Sequence, residues 1–214
     1  MEERRVGVDL KDAKEKAPAM PPPAEKPVVP AAAAPAKPAA APKPAGPVPE
    51  PWNSAIPEDL RNRFGSAIKE ANTYLGQNYL LVDRAVVYDV LSILRAEHEF
   101  DYCVDITAVH YPKRELQFEL VWVLYSFARN ERMRVKTQVK DGEPVPSAVS
   151  IWPAANWLER ECYDMFGITF SGHPDLRRIL LPDGWKGFPL RKDYSILQQD
   201  QDWVRANLGI ESGQ

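Results

Sequence analysis

Tyr102-Cys103-Val104-Asp105-Ile106-Thr107-Ala108-Val109-His110 is the stretch on which the rest of the reading turns. Apolar, β-branched and polar residues interleave here at period two, the signature of a half-buried strand rather than of a helix. The alternation puts Cys103, Asp105 and Thr107 on one side and Val104, Ile106 and Ala108 on the other. Tyr111-Pro112-Lys113-Arg114 follows as a turn. Residues 116–127 read as a long strand rich in Phe, Val, Trp and Tyr, and residues 132–140 as a third, polar on one face. Asp141-Gly142 marks the next turn. Three successive strands joined by short turns make a meander.

Upstream, Pro57-Glu58-Asp59 opens a helix, because proline suits a first turn and acids favour its positive end. Leu60, Phe64, Ala67, Ile68, Ala71 and Leu75 recur at helical spacing, so a helix is expected over residues 57–75, stopped by Gly76. Residues 79–82 form a short strand. Asp83 caps a second helix to about His98, striped by Val86, Val87, Val90, Leu91 and Leu94. Downstream, Ser150 caps a third helix over residues 151–166, which Gly167 ends. The pattern is α+β: a two-layer sandwich of a mixed β-sheet with helices on one face, occupying residues 52–170.

The flanks differ from this core. Thirteen of the 21 prolines lie at positions 18–51, among alanines. Such a stretch has few large apolar side chains to offset its ordering entropy, so residues 1–51 are expected to be a disordered Pro/Ala-rich arm. Residues 171–214 lose regular periodicity yet keep aromatic residues and prolines 174, 182 and 189. A segment this long and irregular is hard to stabilise on its own domain and is expected to be an extended tail that wraps a partner.

A net charge of −3, with no lysine-rich helix or basic face, gives no electrostatic footprint for nucleic acid. Met1-Glu2-Glu3-Arg4-Arg5 mixes acids with bases and leads into no apolar run, unlike a secretory or transit leader. No window reaches the roughly 18 apolar residues of a membrane span. A soluble protein kept in the cytoplasm is expected. Cys103 and Cys162 lie 59 positions apart with no Cys or His at ligand spacing, so they read as buried thiols rather than metal ligands or a disulfide.

The chemistry-bearing residues cluster at Trp157-Leu158-Glu159-Arg160-Glu161-Cys162-Tyr163-Asp164-Met165-Phe166-Gly167, His173-Pro174-Asp175-Leu176-Arg177-Arg178-Ile179-Leu180 and Pro189-Leu190-Arg191-Lys192-Asp193-Tyr194. At about 100° per residue, Ile151, Ala155, Leu158, Cys162, Met165 and Phe166 share a core-facing arc. Glu159 and Glu161 flank that arc roughly 160° apart, too far for a glycosidase-like acid pair. Glu161 and Asp164 share a face with Trp157, with Arg160 at its margin. No His-x-x-His or Glu-x-x-His spacing accompanies them, and His173-Pro174 reads as a turn. Gly167, Gly172 and Gly187 form no phosphate-binding loop. Arg160, Arg177, Arg178 and Arg191 beside Trp157, Tyr163, Phe166 and Trp185 have instead the make-up of an interface that forks onto carboxylates. The residues alone therefore point to a binding module.

The same three segments closely resemble the signature of the 30-kilodalton (C) subunit of bacterial NADH:quinone oxidoreductase (respiratory complex I). The match is continuous from about Ala154 to Tyr194, with a weaker likeness over residues 102–112. The resemblance implies a hydrophilic subunit on the cytoplasmic side of the cell membrane, attached to it only through the complex and carrying no cofactor. FMN, iron–sulfur clusters, NADH and quinone would belong to the rest of an assembly that moves electrons from NADH to quinone and translocates protons. It further implies contact with the large, 49-kilodalton quinone-site (D) subunit and with the iron–sulfur subunits (B and I). The signature positions are Trp157, Glu159, Arg160, Glu161, Asp164, Phe166, Gly167, His173, Pro174, Asp175, Arg177, Arg178, Pro189, Arg191, Asp193 and Tyr194. For these the resemblance implies structural and docking roles, with no catalytic or metal-binding residue. Phe188 departs from the pattern, standing where histidine is often found. The end soon after Tyr194 is unlike the form fused to the 49-kilodalton subunit. Equivalent subunits of membrane-bound hydrogenases or F420-type dehydrogenases are the alternative.

Overall fold

The computed structural model describes residues 46–195 and 201–209. Most of the expected arm lies outside them. Its end is ordered: β1 (Glu50–Pro51) pairs antiparallel with β2 (Ile68–Tyr74), so the arm does not run to residue 51 as expected. α1 (Ala55–Phe64) stops at Gly65. The expected helix over residues 57–75 is thus a helix, a 3-10 turn and a strand. A register shift between Ile68 and Glu70 places buried Ile68 and Ala71 three apart within β2, which imitates helical spacing. Leu75 (φ 52°) and Gly76 (φ 73°) make the two-residue turn into β3 (Gln77–Val82).

Asp83 caps as expected, accepting from the Ala85 N–H at 3.0 Å, although a 3-10 turn precedes α2 (Val87–Ala96). The meander follows: β4 (Tyr102–His110), β5 (Phe118–Ser126) and β6 (Glu131–Val139). A bulge between Cys103 and Asp105 alters the expected parity. Cys103 joins buried Ile106, Ala108 and His110, while Asp105 and Thr107 face outward. The sheet order is β1-β2-β3-β6-β5-β4, antiparallel except where β3 runs parallel to β6. α1, α2 and the next helix, α3 (Ala155–Phe166), contribute Leu60, Leu91, Leu94 and Phe166 to one core with Leu80, Leu120, Trp122, Leu124, Met133 and Val135 of the sheet. This is the mixed-sheet α+β architecture, with helices on one face.

β7 (Val145–Pro146) and β8 (Phe170–Ser171) form a small parallel pair that brackets α3. α3 starts later than expected, at Ala155 rather than Ile151. Pro153 biases the residue before it away from helical backbone, and residues 148–152 turn instead, with the Trp152 N–H on the Ala148 carbonyl at 2.9 Å. Ser150 caps nothing; its hydroxyl lies 3.1 Å from that of Tyr88. After β8 the chain is irregular to residue 195. A helix, α4 (Gln201–Leu208), is the last element, with Trp203 against Trp185 at 5.2 Å between ring centroids.

Candidate functional site

α3 carries two acids that are fully buried, Glu159 and Asp164. Asp164 faces the tail. Its Oδ2 accepts from three successive backbone N–H groups, Ile179 at 3.1 Å and Leu180 and Leu181 at 2.8 Å. Its Oδ1 accepts from Arg178 Nη1 at 2.8 Å. A run of amides converging on one oxygen is the geometry of an anion nest, filled here by the chain's own carboxylate. Burial by itself would raise the Asp164 carboxyl; the three amides and Arg178 outweigh it and hold it below its usual range.

Two more arginines complete the clamp. Arg160 donates through Nε and Nη2 to the carbonyls of Arg177 and Arg178, at 3.1 and 2.9 Å. Arg191 donates to the Phe166 carbonyl at 2.6 Å and forks onto both Asp141 oxygens at 2.9 and 2.8 Å. Phe188 stacks under Arg191 and Arg178, at 4.8 and 5.3 Å from ring centroid to guanidinium carbon, which gives the departing residue a definite place. Gly167 ends α3 at φ 75°, and a Cβ there would meet Phe188 at 2.5 Å and Arg191 at 2.8 Å. Both backbone conformation and space require glycine. Gly187 (φ 86°) is crowded by Tyr194 in the same way, at 2.6 Å.

Glu159 sits on the other side of α3, under the loop before it. It does not flank the core as the helical wheel predicts but enters it, accepting from Ser147 Oγ and the Ala148 N–H, each at 2.6 Å. Among the described residues, no cation pairs with it. Burial pushes its carboxyl up to about 7, against the pull of the two donors. Cys103 and Cys162 are buried free thiols, both raised by burial, Cys103 to about 12. His173 Nε2 donates to the Asn156 carbonyl at 3.1 Å and Nδ1 accepts from the Asp175 N–H at 3.0 Å, so both nitrogens are used in shaping the turn. Among the described residues, no three of His, Cys, Asp and Glu come together at metal-ligating geometry.

The structure thus gathers most of the expected site residues but divides them. Glu159, Asp164 and Phe166 are interior and cannot touch a partner directly. Arg160, Gly167, Arg178 and Arg191, with the turn formers His173, Pro189 and Tyr194, bind the tail to its own domain. The expectation that the tail lacks support on that domain is corrected over residues 171–195. Outward-facing are Trp157 (64 % exposed), Glu161, Pro174, Asp175, Arg177 and Asp193, joined by Leu180 (61 %) and Leu190 (52 %). Sequence reasoning missed His110, whose Nδ1 accepts the Lys192 N–H at 3.0 Å, and the partners Asp141 and Ser147. His110 ends a strand and Asp141 opens a turn, and neither position carries a long-range signal.

A model of the family described as the respiratory-chain NADH dehydrogenase 30 Kd subunit matches residues 80–200. The C subunit of NADH-quinone oxidoreductase from Brucella abortus (strain 2308) is 48 % identical over 139 residues, covering 64 % of this chain and 69 % of that protein. Its counterpart in Brucella suis biovar 1 (strain 1330) matches to the same extent. Among solved structures, a chain of the membrane-bound sulfane sulfur reductase, an archaeal respiratory membrane complex, superposes with a TM-score of 0.59 at 27 % identity. That likeness covers 72 % of this chain and 90 % of the other. The matched span contains the meander, α3 and the clamp that holds the tail: the chain belongs to the family of the 30-kilodalton subunit of respiratory-chain NADH dehydrogenase.

Proposed function

We propose that this chain is a non-catalytic peripheral-arm subunit of a proton-translocating NADH:quinone oxidoreductase. Its α3–tail face docks on the large, 49-kilodalton quinone-site subunit, near the iron–sulfur subunits. The observation that carries this reading is the division of labour in the clamp. Its polar groups are spent internally, on Asp164, Arg160, Arg178 and Arg191, while Trp157, Leu180, Leu190 and Arg177 stand exposed on the surface that the clamp fixes. None of residues 171–195 is fully buried in the chain alone. Exposed aromatic and aliphatic side chains together with an exposed arginine match the composition of a subunit interface. A rigid surface also lowers the ordering cost of association.

In this role the chain supplies shape, and other subunits supply FMN, iron–sulfur clusters, NADH oxidation and quinone reduction. No described helix is long and apolar enough to cross a membrane, so attachment on the cytoplasmic side would run through the complex. The test is a pull-down of the tagged protein from solubilised membranes of its own organism, with mass spectrometry of its companions. Recovery of an NADH-binding flavoprotein with the quinone-site and iron–sulfur subunits is the expected result. A second reading, the equivalent subunit of a related redox complex, draws on the likeness to the archaeal sulfane sulfur reductase chain. Recovery of hydrogenase-like subunits without the flavoprotein would select it. A lone chain would sink both.

A further inference from the structure

A hollow of about 310 Å³ opens where the β4–β5 turn meets the tail, lined by Tyr111, Pro112, Lys113, Arg114 and Lys192. The Arg114 guanidinium carbon lies 3.7 Å from the Tyr111 ring centroid, and Lys192 Nζ lies 5.2 Å from it. Among the described residues, none of the three cationic side chains has an ion-pair or hydrogen-bond partner. Of the nearest acids in sequence, Glu115 pairs with Lys140 at 2.7 Å, and exposed Asp193, 3.6 Å from His110 Nδ1, pairs with none of the three cations.

Folding offers little reason to gather three like charges at one hollow, because exposed cation–π contacts are weak and the cations repel one another. The arrangement does suit an anion brought from outside. A guanidinium held over the tyrosine ring still has N–H groups to fork onto a carboxylate, and the ring holds two of the cations in place beforehand. The floor of Tyr111 and Pro112 is apolar, and the charges are spread along the hollow rather than focused by converging amides. That favours an extended peptide with several carboxylates over a single small anion.

We propose that this hollow seats an acidic segment, bearing at least two carboxylates, of a neighbouring subunit. The site is composite. Lys192 reaches it because its N–H is held by His110 and because Arg191 is locked to Asp141 and Phe166. The segment therefore binds only the latched tail, and by linkage its binding strengthens the latch. The proposal uses none of the exposed residues on which the α3–tail docking reading rests.

The test places a benzophenone amino acid at Lys113 of the full chain, assembles the complex, irradiates it and sequences the cross-linked peptide. The expected product is an Asp/Glu-rich segment of another subunit. Its yield should fall about fivefold or more when Arg114→Glu and Lys192→Glu are combined. A lipid adduct, an adduct on a segment without acidic residues, one confined to this chain, or none at all would overturn the proposal. So would a yield that the double reversal leaves unchanged. The purified full chain gives an independent readout with a fluorescein-labelled octaglutamate peptide at low salt. The double reversal should weaken binding about tenfold with an unaltered thermal midpoint, whereas equal binding by both proteins overturns the idea. If the pull-down fails to recover the 49-kilodalton subunit while an acidic cross-link persists, the docking reading falls and this one stands.

Discussion

The sheet-and-helix core and the C-terminal tail are held by different physics. In the core, Leu80, Leu120, Trp122, Leu124, Met133 and Val135 are fully buried, and their stabilisation is non-directional, about 25 cal/mol per Å² of apolar surface removed from water. The tail between 171 and 195 has no fully buried side chain. It is attached by aimed groups instead: one carboxylate on three amides, and three guanidiniums on carbonyls and carboxylates. Many interchangeable contacts make the core tolerant of any one substitution of similar volume. A few irreplaceable ones make the tail brittle.

Removing Asp164 should give the largest effect. Asp164→Ala leaves Arg178 and three amides without their acceptor, a loss of about 3–5 kcal/mol for a broken buried pair. Hydrogen exchange should show residues 179–181 losing protection while β5 and β6 keep theirs. If β5 and β6 open to the same extent, tail and core are one cooperative unit and the contrast drawn above fails.

Glu159 gives the next effect, and its sign opposes that of Asp164. Asp164 is ionised more readily when folded, so its contribution is present above its ordinary range and lost as pH falls through its lowered value. Glu159 is protonated more readily when folded, at about 7 rather than 4.5. Its contribution is fully present below 4.5 and is lost as pH rises from there through 7. The span is up to about 3 kcal/mol. Thermal midpoints measured against pH should fall over this window in the wild type and stay flat in Glu159→Gln. A wild-type curve with no slope there would mean that the carboxyl finds solvation that its burial denies it.

Gly167→Ala tests the clamp with a single methyl group. Positive φ and the crowding of Phe188 and Arg191 should together cost about 1–3 kcal/mol. The loss should show first as mobility of residues 187–192 in an exchange experiment. Gly172→Ala, also at positive φ but with open space around it, should cost less. Equal costs at the two positions would show that φ alone matters and that Phe188 yields freely.

The same contrast explains what is legible in the sequence. β5 and β6 and the stripe of α2 can be read because apolar periodicity is what burial requires of them. β2 is hidden because its register shift puts Ile68 and Ala71 at helical spacing, and the β4 bulge moves Cys103 to the face opposite that expected. The site is legible in its residues and not in its wiring. Asp164 and Arg178 can be singled out by type, but backbone amides at 179–181 and the acceptors His110 and Asp141 leave no trace in residue identity. Glu159 escapes the wheel because a wheel assigns acids to the margin, and only Ser147 and the Ala148 amide make its interior position tolerable.

Arg177 should give the smallest effect on folding and the sharpest view of the docking proposal. Its side chain is 71 % exposed, and its ion pair to Asp175 at 2.8 Å is itself exposed. Such a pair is worth less than about 0.5 kcal/mol, so Arg177→Ala should leave the thermal midpoint of the isolated chain where it was. Arg178→Ala, by contrast, should strip exchange protection from residues 179–181, because it unseats Asp164. Both should reduce the amount of assembled complex in membranes, Arg178→Ala by loosening the tail and Arg177→Ala by removing a fork aimed at a partner. Native gels and NADH-driven quinone reduction, measured on the same membranes, separate the possibilities. If Arg177→Ala assembles normally and activity drops, the residue acts on the chemistry rather than on docking. If assembly and activity are both untouched, Arg177 is a solvated surface charge, and the face that the tail presents must be read from Trp157, Leu180 and Leu190 alone.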